Sequence, residues 1–216
     1  MTSLVDLTLT LTPEMPGVGF EEKCSVEKDG WNATTVELYS HVGTHMDAPV
    51  HFGVSETSID QIPLEQCRGP AHVVDLKGLD RKALIEVVHL GDVVDHWCPG
   101  DSLLLDTGWS RHAGDPVLYR SSFPRVSEGL ARWCVDRKVR ILGVEAPSVA
   151  DVENLEEVTR IHRILLGGDV VIVEGLAGLA QLKSTRVLFS AFPLKLGGVD
   201  GSPCRAFAED SDPVKR

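Results

Sequence analysis

The chain has 216 residues, 43% of them hydrophobic and 25% charged, which suits one globular domain large enough to bury a sizeable core. A formal net charge of -11 speaks against nucleic acid as a partner, because phosphate binding is driven by Lys and Arg. No apolar run is long enough to cross a bilayer, and the opening MTSLVDLTLTL lacks the basic start of a signal peptide.

The first predicted element is a strand over residues 4–11, where Val5, Leu7, Leu9 and Leu11 fall on one side. Residues 33–40 are β-rich and run directly into HVGTHMDAPVHF at 41–52, where Gly43 and Pro49 speak against any regular element. Further strands are predicted at 72–76, 102–106, 140–144, 170–174 and 186–192. Helical spacing appears at 127–137, with Leu130, Ala131 and Cys134 inward, and at 155–166, with Val158, Ile161 and Leu165 inward. A weaker helical pattern covers 81–89. Strands outnumber helices without alternating strictly with them, so the expected fold is α/β, a mixed sheet with a few covering helices. Residues 1–208 read as one domain. Residues 209–216 are polar, contain a proline and read as a loose tail.

Cys24, Cys67, Cys98, Cys134 and Cys204 form no C-x-x-C pair, which fits free thiols in a reducing cytoplasm. Nothing beside Cys204, in GSPCRAF, would activate it as a nucleophile.

The chemistry concentrates at 41–52. His41, His45, Asp47 and His51 offer imidazole nitrogens and a carboxylate, the ligand set of a divalent Zn, Mn or Fe ion. Gly43 lets the backbone fold tightly enough for His41 and His45 to converge. One loop rarely encloses a metal, so further ligands are expected from elsewhere. His162 lies near the edge of a buried helical stripe, and Glu174 closes the apolar run VVIV. Taken singly, His162 reads as a helix-edge histidine and Glu174 as a solvated strand end. His72, His89, His96 and His112 lack ligand-type neighbours and read as surface or structural residues.

The motif H-x-G-T-H-x-D-x-P-x-H-F, followed by a helix histidine and a glutamate twelve residues later, resembles the cyclase-type family of metal-dependent hydrolases, which includes bacterial kynurenine formamidase and isatin hydrolase. The resemblance extends to D-L-T near the start, P-G at Pro16 and Gly17, T-G-W at 107–109 and G-V-E-A-P-S-V-A-D at 143–151. It implies a three-layer β/β/α sandwich of swivelling-domain type, assembled as a homodimer or larger. It further implies that His41, His45 and Asp47 hold a first metal, and that Asp47, His162 and Glu174 hold or bridge to a second. His51 matches the proton acceptor and donor.

The reaction then expected is hydrolysis of a linear or cyclic amide, N-formyl-L-kynurenine first and isatin-like lactams or lactones behind it, with one or two Zn or Mn ions per chain. Two positions depart from the family pattern. Met15 stands where kynurenine-specific members carry a tryptophan that meets the aromatic substrate, and Glu145 replaces an aspartate. Rival readings find less support. No G-x-S-x-G marks a serine hydrolase, and no G-x-G-x-x-G or P-loop marks a nucleotide site. A non-catalytic metal-binding homologue would keep the ligands and lose His51, which is present.

Overall fold

The computed structural model describes residues 2–211. Its strands are β1 (Thr2–Asp6), β2 (Val18–Cys24), β3 (Ala33–Leu38), β4 (His45–Asp47), β5 (Arg68–Asp75) and β6 (Leu84–Ile85) in the first half. The second half adds β7 (Ser102–Asp106), β8 (Arg125–Val126), β9 (Ile141–Val144), β10 (Val171–Glu174), β11 (Arg186–Pro193) and β12 (Gly201–Ser211). Four α-helices accompany them among the described residues: α1 (Val26–Asp29), α2 (Pro116–Ser121), α3 (Glu128–Asp136) and α4 (Leu155–Gly167).

The main sheet runs β1-β12-β11-β5-β7-β9-β10-β4, and β4 pairs back onto β12. Seven strands therefore close into a barrel, with β1 added along β12. The neighbours from β5 through β7 and β9 to β10 are parallel, and the remaining barrel pairs are antiparallel. The fold is the expected α/β arrangement with a mixed sheet, and that sheet closes on itself as a barrel, which the three-layer sandwich description does not include. The antiparallel partners of β4 come from residues 172–174 and 201–203, and sequence spacing carries no record of such long-range pairing.

Pleating sorts side chains between two cores. Every barrel strand contributes to one of them, including Met46, Ala71, Leu104, Ile141, Val173, Phe189 and Ala206, so this core fills the barrel. The neighbouring positions Leu103, Leu105, Leu142 and Ile172 point outward against Leu130 and Cys134 of α3 and Ile161 and Leu165 of α4. Parallel strands covered on both faces read as continuous apolar runs, as at 102–106 and 170–174. Each large apolar side chain fully buried this way contributes roughly 1.5–3 kcal/mol. Helix α4 begins where the Asn154 side chain accepts from the Glu157 amide, with Glu156 and Glu157 in its first turn.

Most predicted elements coincide with observed ones, and the differences have local causes. Residues 81–89 hold no α-helix: Leu84 and Ile85 pair with Arg125 and Val126, and a 3-10 segment follows over Val87–Val94. The strand predicted over 4–11 ends at Asp6, with one bridge beyond it between Thr8 and Leu176. The stretch at 41–52 is not wholly irregular, since His45–Asp47 is the strand β4. β12 extends to Ser211 and takes in the first residues of the expected tail, whereas 212–216 lie outside the described residues. No helix among the described residues is long and apolar enough to cross a membrane.

Candidate metal centre and active site

Strand alternation builds the centre of the site. In β4 the Met46 side chain enters the barrel core, so His45 and Asp47 both face outward, beneath α4. Across the ladder His45 lies opposite Glu174, and Asp47 lies opposite Ile172. His162 reaches the same place from α4, where it is buried with Ile161 and Leu165. A close backbone approach holds the pieces together. The Thr44 hydroxyl donates to the Gly175 carbonyl at 2.5 Å and accepts from the Leu9 amide at 2.8 Å. A Cβ on Gly175 would fall 2.2 Å from the Gly43 carbonyl oxygen, so only glycine permits this contact. After Asp47 the chain turns through a 3-10 segment, Pro49–Phe52, which carries His51.

The five side chains proposed as ligands converge. His41 Nδ1 lies 2.9 Å from Asp47 Oδ1, and His45 Nε2 lies 3.7 Å from the same oxygen. His45 Nε2 is also 3.2 Å from Glu174 Oε2. His162 Nε2 is 3.3 Å from Glu174 Oε1 and 3.6 Å from Asp47 Oδ2. His41, His45 and Asp47 form one group able to hold a cation; Asp47, His162 and Glu174 form another, so Asp47 is common to both. His45 Nδ1 donates to the Gly43 carbonyl at 3.0 Å, and His162 Nδ1 donates to the Val158 carbonyl at 2.7 Å. Each ring therefore turns its Nε2 towards the carboxylates, the orientation a metal ligand needs.

The electrostatics agree with a bound cation. Asp47 and Glu174 are 1% and 4% exposed, and Asp47 Oδ2 has no hydrogen-bond partner among the described residues. Burying carboxylates is costly unless they are paired or bound to metal. Burial opposes ionisation of Glu174, but hydrogen bonds and charge from His162 and His45 outweigh it and hold the carboxyl well below its usual range. Burial likewise works to lower the His41 pKa, yet Asp47 and Asp200 raise it to about 9. Negative charge from Asp47, Glu174 and Asp200 thus acts on the His41, His45 and His162 rings, and a divalent ion could take the place of their protons.

A cleft of about 330 Å³ opens beside His41 and His45, its walls including Met15, Pro16, Tyr119 and Pro147. Met15 thus borders the site. His51 does not line this cleft; its ring stacks on His41 at a centroid distance of 3.8 Å. Glu14 and Arg120 bring opposite charges to the lining. The buried Glu145 carboxylate accepts from Ser110 Oγ at 2.6 Å and from the Trp109 amide at 3.0 Å, while Tyr119 donates to the Glu145 carbonyl at 2.6 Å. Glutamate at this position holds the turn that leads to α2, which forms one side of the cleft. Cys204 is buried, and burial pushes its thiol up to about 12, so it remains protonated.

Sequence reasoning missed Asp200, whose Oδ2 lies 3.0 Å from His41 Nε2 and 3.3 Å from His51 Nδ1. It missed Gly201 too: a Cβ there would fall 2.6 Å from His41 Cε1. The only signal was the glycine-rich GGVDGSP, which reads as an ordinary turn.

Imidazole and carboxylate groups sharing one aspartate, set on the outside of a mixed barrel beside a small-molecule cleft, define a metal-dependent hydrolase. Comparison with known proteins agrees. The Cyclase family, described as "Putative cyclase", matches residues 5–151, and the chain belongs to this family and is an enzyme. Kynurenine formamidase of Salinibacter ruber is 30% identical over 182 residues, covering 83% of this chain and 81% of that protein. Isatin hydrolase A from Ralstonia solanacearum superposes with a TM-score of 0.88 at 25% identity, covering 97% of this chain and 92% of its own. A structure described as a predicted metal-dependent hydrolase from Bacillus stearothermophilus gives a TM-score of 0.77 at 25% identity, covering 98% of this chain and 100% of its own.

Proposed function

We propose that this chain is an amidohydrolase that cleaves a carbon–nitrogen bond in a small linear or cyclic amide, with N-formyl-L-kynurenine as the leading substrate and L-kynurenine and formate as products. The observation that carries this reading is Asp47, common to two ligand groups beside the cleft. His41, His45 and Asp47 would hold a first Zn or Mn ion, and Asp47, His162 and Glu174 a second. Mixed imidazole and carboxylate donors suit either metal. Such an ion, when bound, supplies Lewis acidity towards the substrate carbonyl and a water acidified towards neutral pH.

His51 moves the proton. Burial lowers its pKa, and His41 and His162 add to that against the pull of Asp47 and Asp200, which favours a neutral ring able to accept. It takes a proton from the attacking water and returns it to the amine nitrogen as the C–N bond breaks, because an amine leaves poorly until protonated.

N-formylkynurenine is favoured over a neutral lactam by the charges on the cleft. The Arg120 side chain has no hydrogen-bond or ion-pair partner among the described residues, and Glu14 lines the same space, a pair suited to an α-carboxylate and an α-ammonium group. Met15 offers a polarisable surface for the aryl ring in place of tryptophan. The isatin hydrolase neighbours support the second reading, a lactam or lactone substrate. A homodimer or tetramer is the proposed assembly, and Phe20, Trp31, Val36 and Tyr39 stand exposed on and beside the β2–β3 hairpin.

The experiment is a screen of the metal-reconstituted protein against N-formylkynurenine, isatin and simple lactones. Formate release from N-formylkynurenine that chelation abolishes and Zn or Mn restores is the expected result. Turnover of isatin alone would move the assignment to the lactam class, and turnover indifferent to chelators would refute it.

A further inference from the structure

We infer that Asp200 is a positioning residue that sets the tautomers of two histidines at once, His41 for metal binding and His51 for proton transfer; this rests on the reading of the site proposed above. Asp200 immediately precedes β12, and its position is fixed by the backbone. The Ala48 amide donates to its carbonyl at 3.0 Å, and the next residue, Gly201, pairs with Asp47 across the β12–β4 ladder. The strand that bears two proposed ligands therefore also holds the aspartate in place. Gly201 leaves the space through which the His41 ring packs against this backbone.

One carboxylate oxygen serves both rings. Asp200 Oδ2 lies 3.0 Å from His41 Nε2 and 3.3 Å from His51 Nδ1, and the two rings stack with 26° between their planes. An ionised carboxylate can only accept, so His41 Nε2 must carry the hydrogen that donates to it, and the same negative charge 3.3 Å away favours the hydrogen on Nδ1 of His51. A neutral imidazole has one N–H. With an ion bound, a neutral His41 that keeps its hydrogen on Nε2 would offer its Nδ1 lone pair to the first ligand group, on the side where Nδ1 lies 2.9 Å from Asp47 Oδ1. His51 protonated at Nδ1 keeps its Nε2 lone pair free to take a proton. The two neighbouring rings thus need opposite tautomers, and a single acceptor placed between Nε2 of one and Nδ1 of the other satisfies both. Backbone carbonyls do this service for His45 and His162; for His41 and His51 it falls to a side chain.

The test uses the full chain loaded with zinc and labelled with ¹⁵N-histidine, comparing wild type, Asp200→Asn and Asp200→Ala. The Asp200 side chain is 43% exposed, so neither change opens a hole in the core, and the asparagine keeps both shape and a carbonyl acceptor. Long-range ¹H–¹⁵N correlation spectra should show the Nδ1–H form of His51 in wild type and its loss in Asp200→Ala. Zinc affinity, measured by chelator competition, should fall by about 10–100-fold in Asp200→Ala, the usual effect of losing a residue that orients a ligand. Asp200→Asn should fall between the two. With substrate, the loss should appear in kcat and leave KM near the wild-type value. An Asp200→Ala protein that keeps wild-type zinc affinity and the Nδ1–H form of His51 overturns the assignment. Zinc binding and tautomers as expected, without turnover of any amide, would leave Asp200 as a positioning residue and overturn the hydrolase reading alone. A wild type that binds no zinc overturns both.

Discussion

His45 and Glu174 lie directly opposite each other in the antiparallel ladder between β4 and β10, with Nε2 3.2 Å from Oε2. These residues are 129 positions apart in the chain, yet backbone pairing alone brings their side chains onto one face. The juxtaposition makes Glu174 the sharpest probe of the site. Replacing it with glutamine keeps its shape but removes one negative charge from a buried cluster. Metal titration should show affinity falling steeply, most of all for a second ion, while the fold persists. Unchanged binding and rate would mean that Glu174 serves only to accept from the Val149 amide, 2.7 Å away.

His51 separates proton transfer from ligation. His51→Ala should retain most of the metal and lower turnover by roughly 10²–10⁴-fold, the usual contribution of a general acid–base group. Elemental analysis alongside steady-state kinetics provides the check. Loss of the metal itself would show that His51 is a ligand and not a base.

Arg120 bears on substrate choice. If its guanidinium receives a substrate carboxylate, Arg120→Gln removes a charge-assisted hydrogen bond worth about 1.5–3 kcal/mol. KM for N-formylkynurenine should then rise on the order of 10–100-fold, with little change in kcat. An uncharged formanilide should be unaffected. Equal effects on both substrates would place Arg120 outside the recognition of charge.

Gly201 tests how tightly the site is packed. A methyl group there would approach the Met46 carbonyl oxygen to 3.0 Å and His41 Cε1 to 2.6 Å. Overpacking of this kind costs roughly 1–3 kcal/mol. Gly201→Ala should lower the melting temperature and weaken metal binding together, because the His41 ring must move. A variant that melts and binds like wild type would show that the ring has room to shift.

What the sequence determined by itself is what short-range physics encodes. The runs at 102–106 and 170–174 announce buried strands, and Leu130, Ala131 and Cys134 announce the inner face of α3, because pleat and helical period act over a few residues. His41, His45, Asp47 and His51 were legible as a cluster for the same reason. The alternation that turns His45 and Asp47 outward and Met46 inward is also local, but a strand of three residues is too short to display a period. Tertiary structure alone decided the rest. The barrel closes because β4 finds partners in both β10 and β12, and that closure carries His162, Glu174, Asp200 and Gly201 to the motif. In the sequence His162 drew notice at the edge of an apolar helix stripe and Glu174 at the end of VVIV, but only a resemblance tied them to the motif, and Asp200 did not stand out at all. A carboxylate takes its role from the groups it faces, and those are set by register and closure across more than a hundred residues.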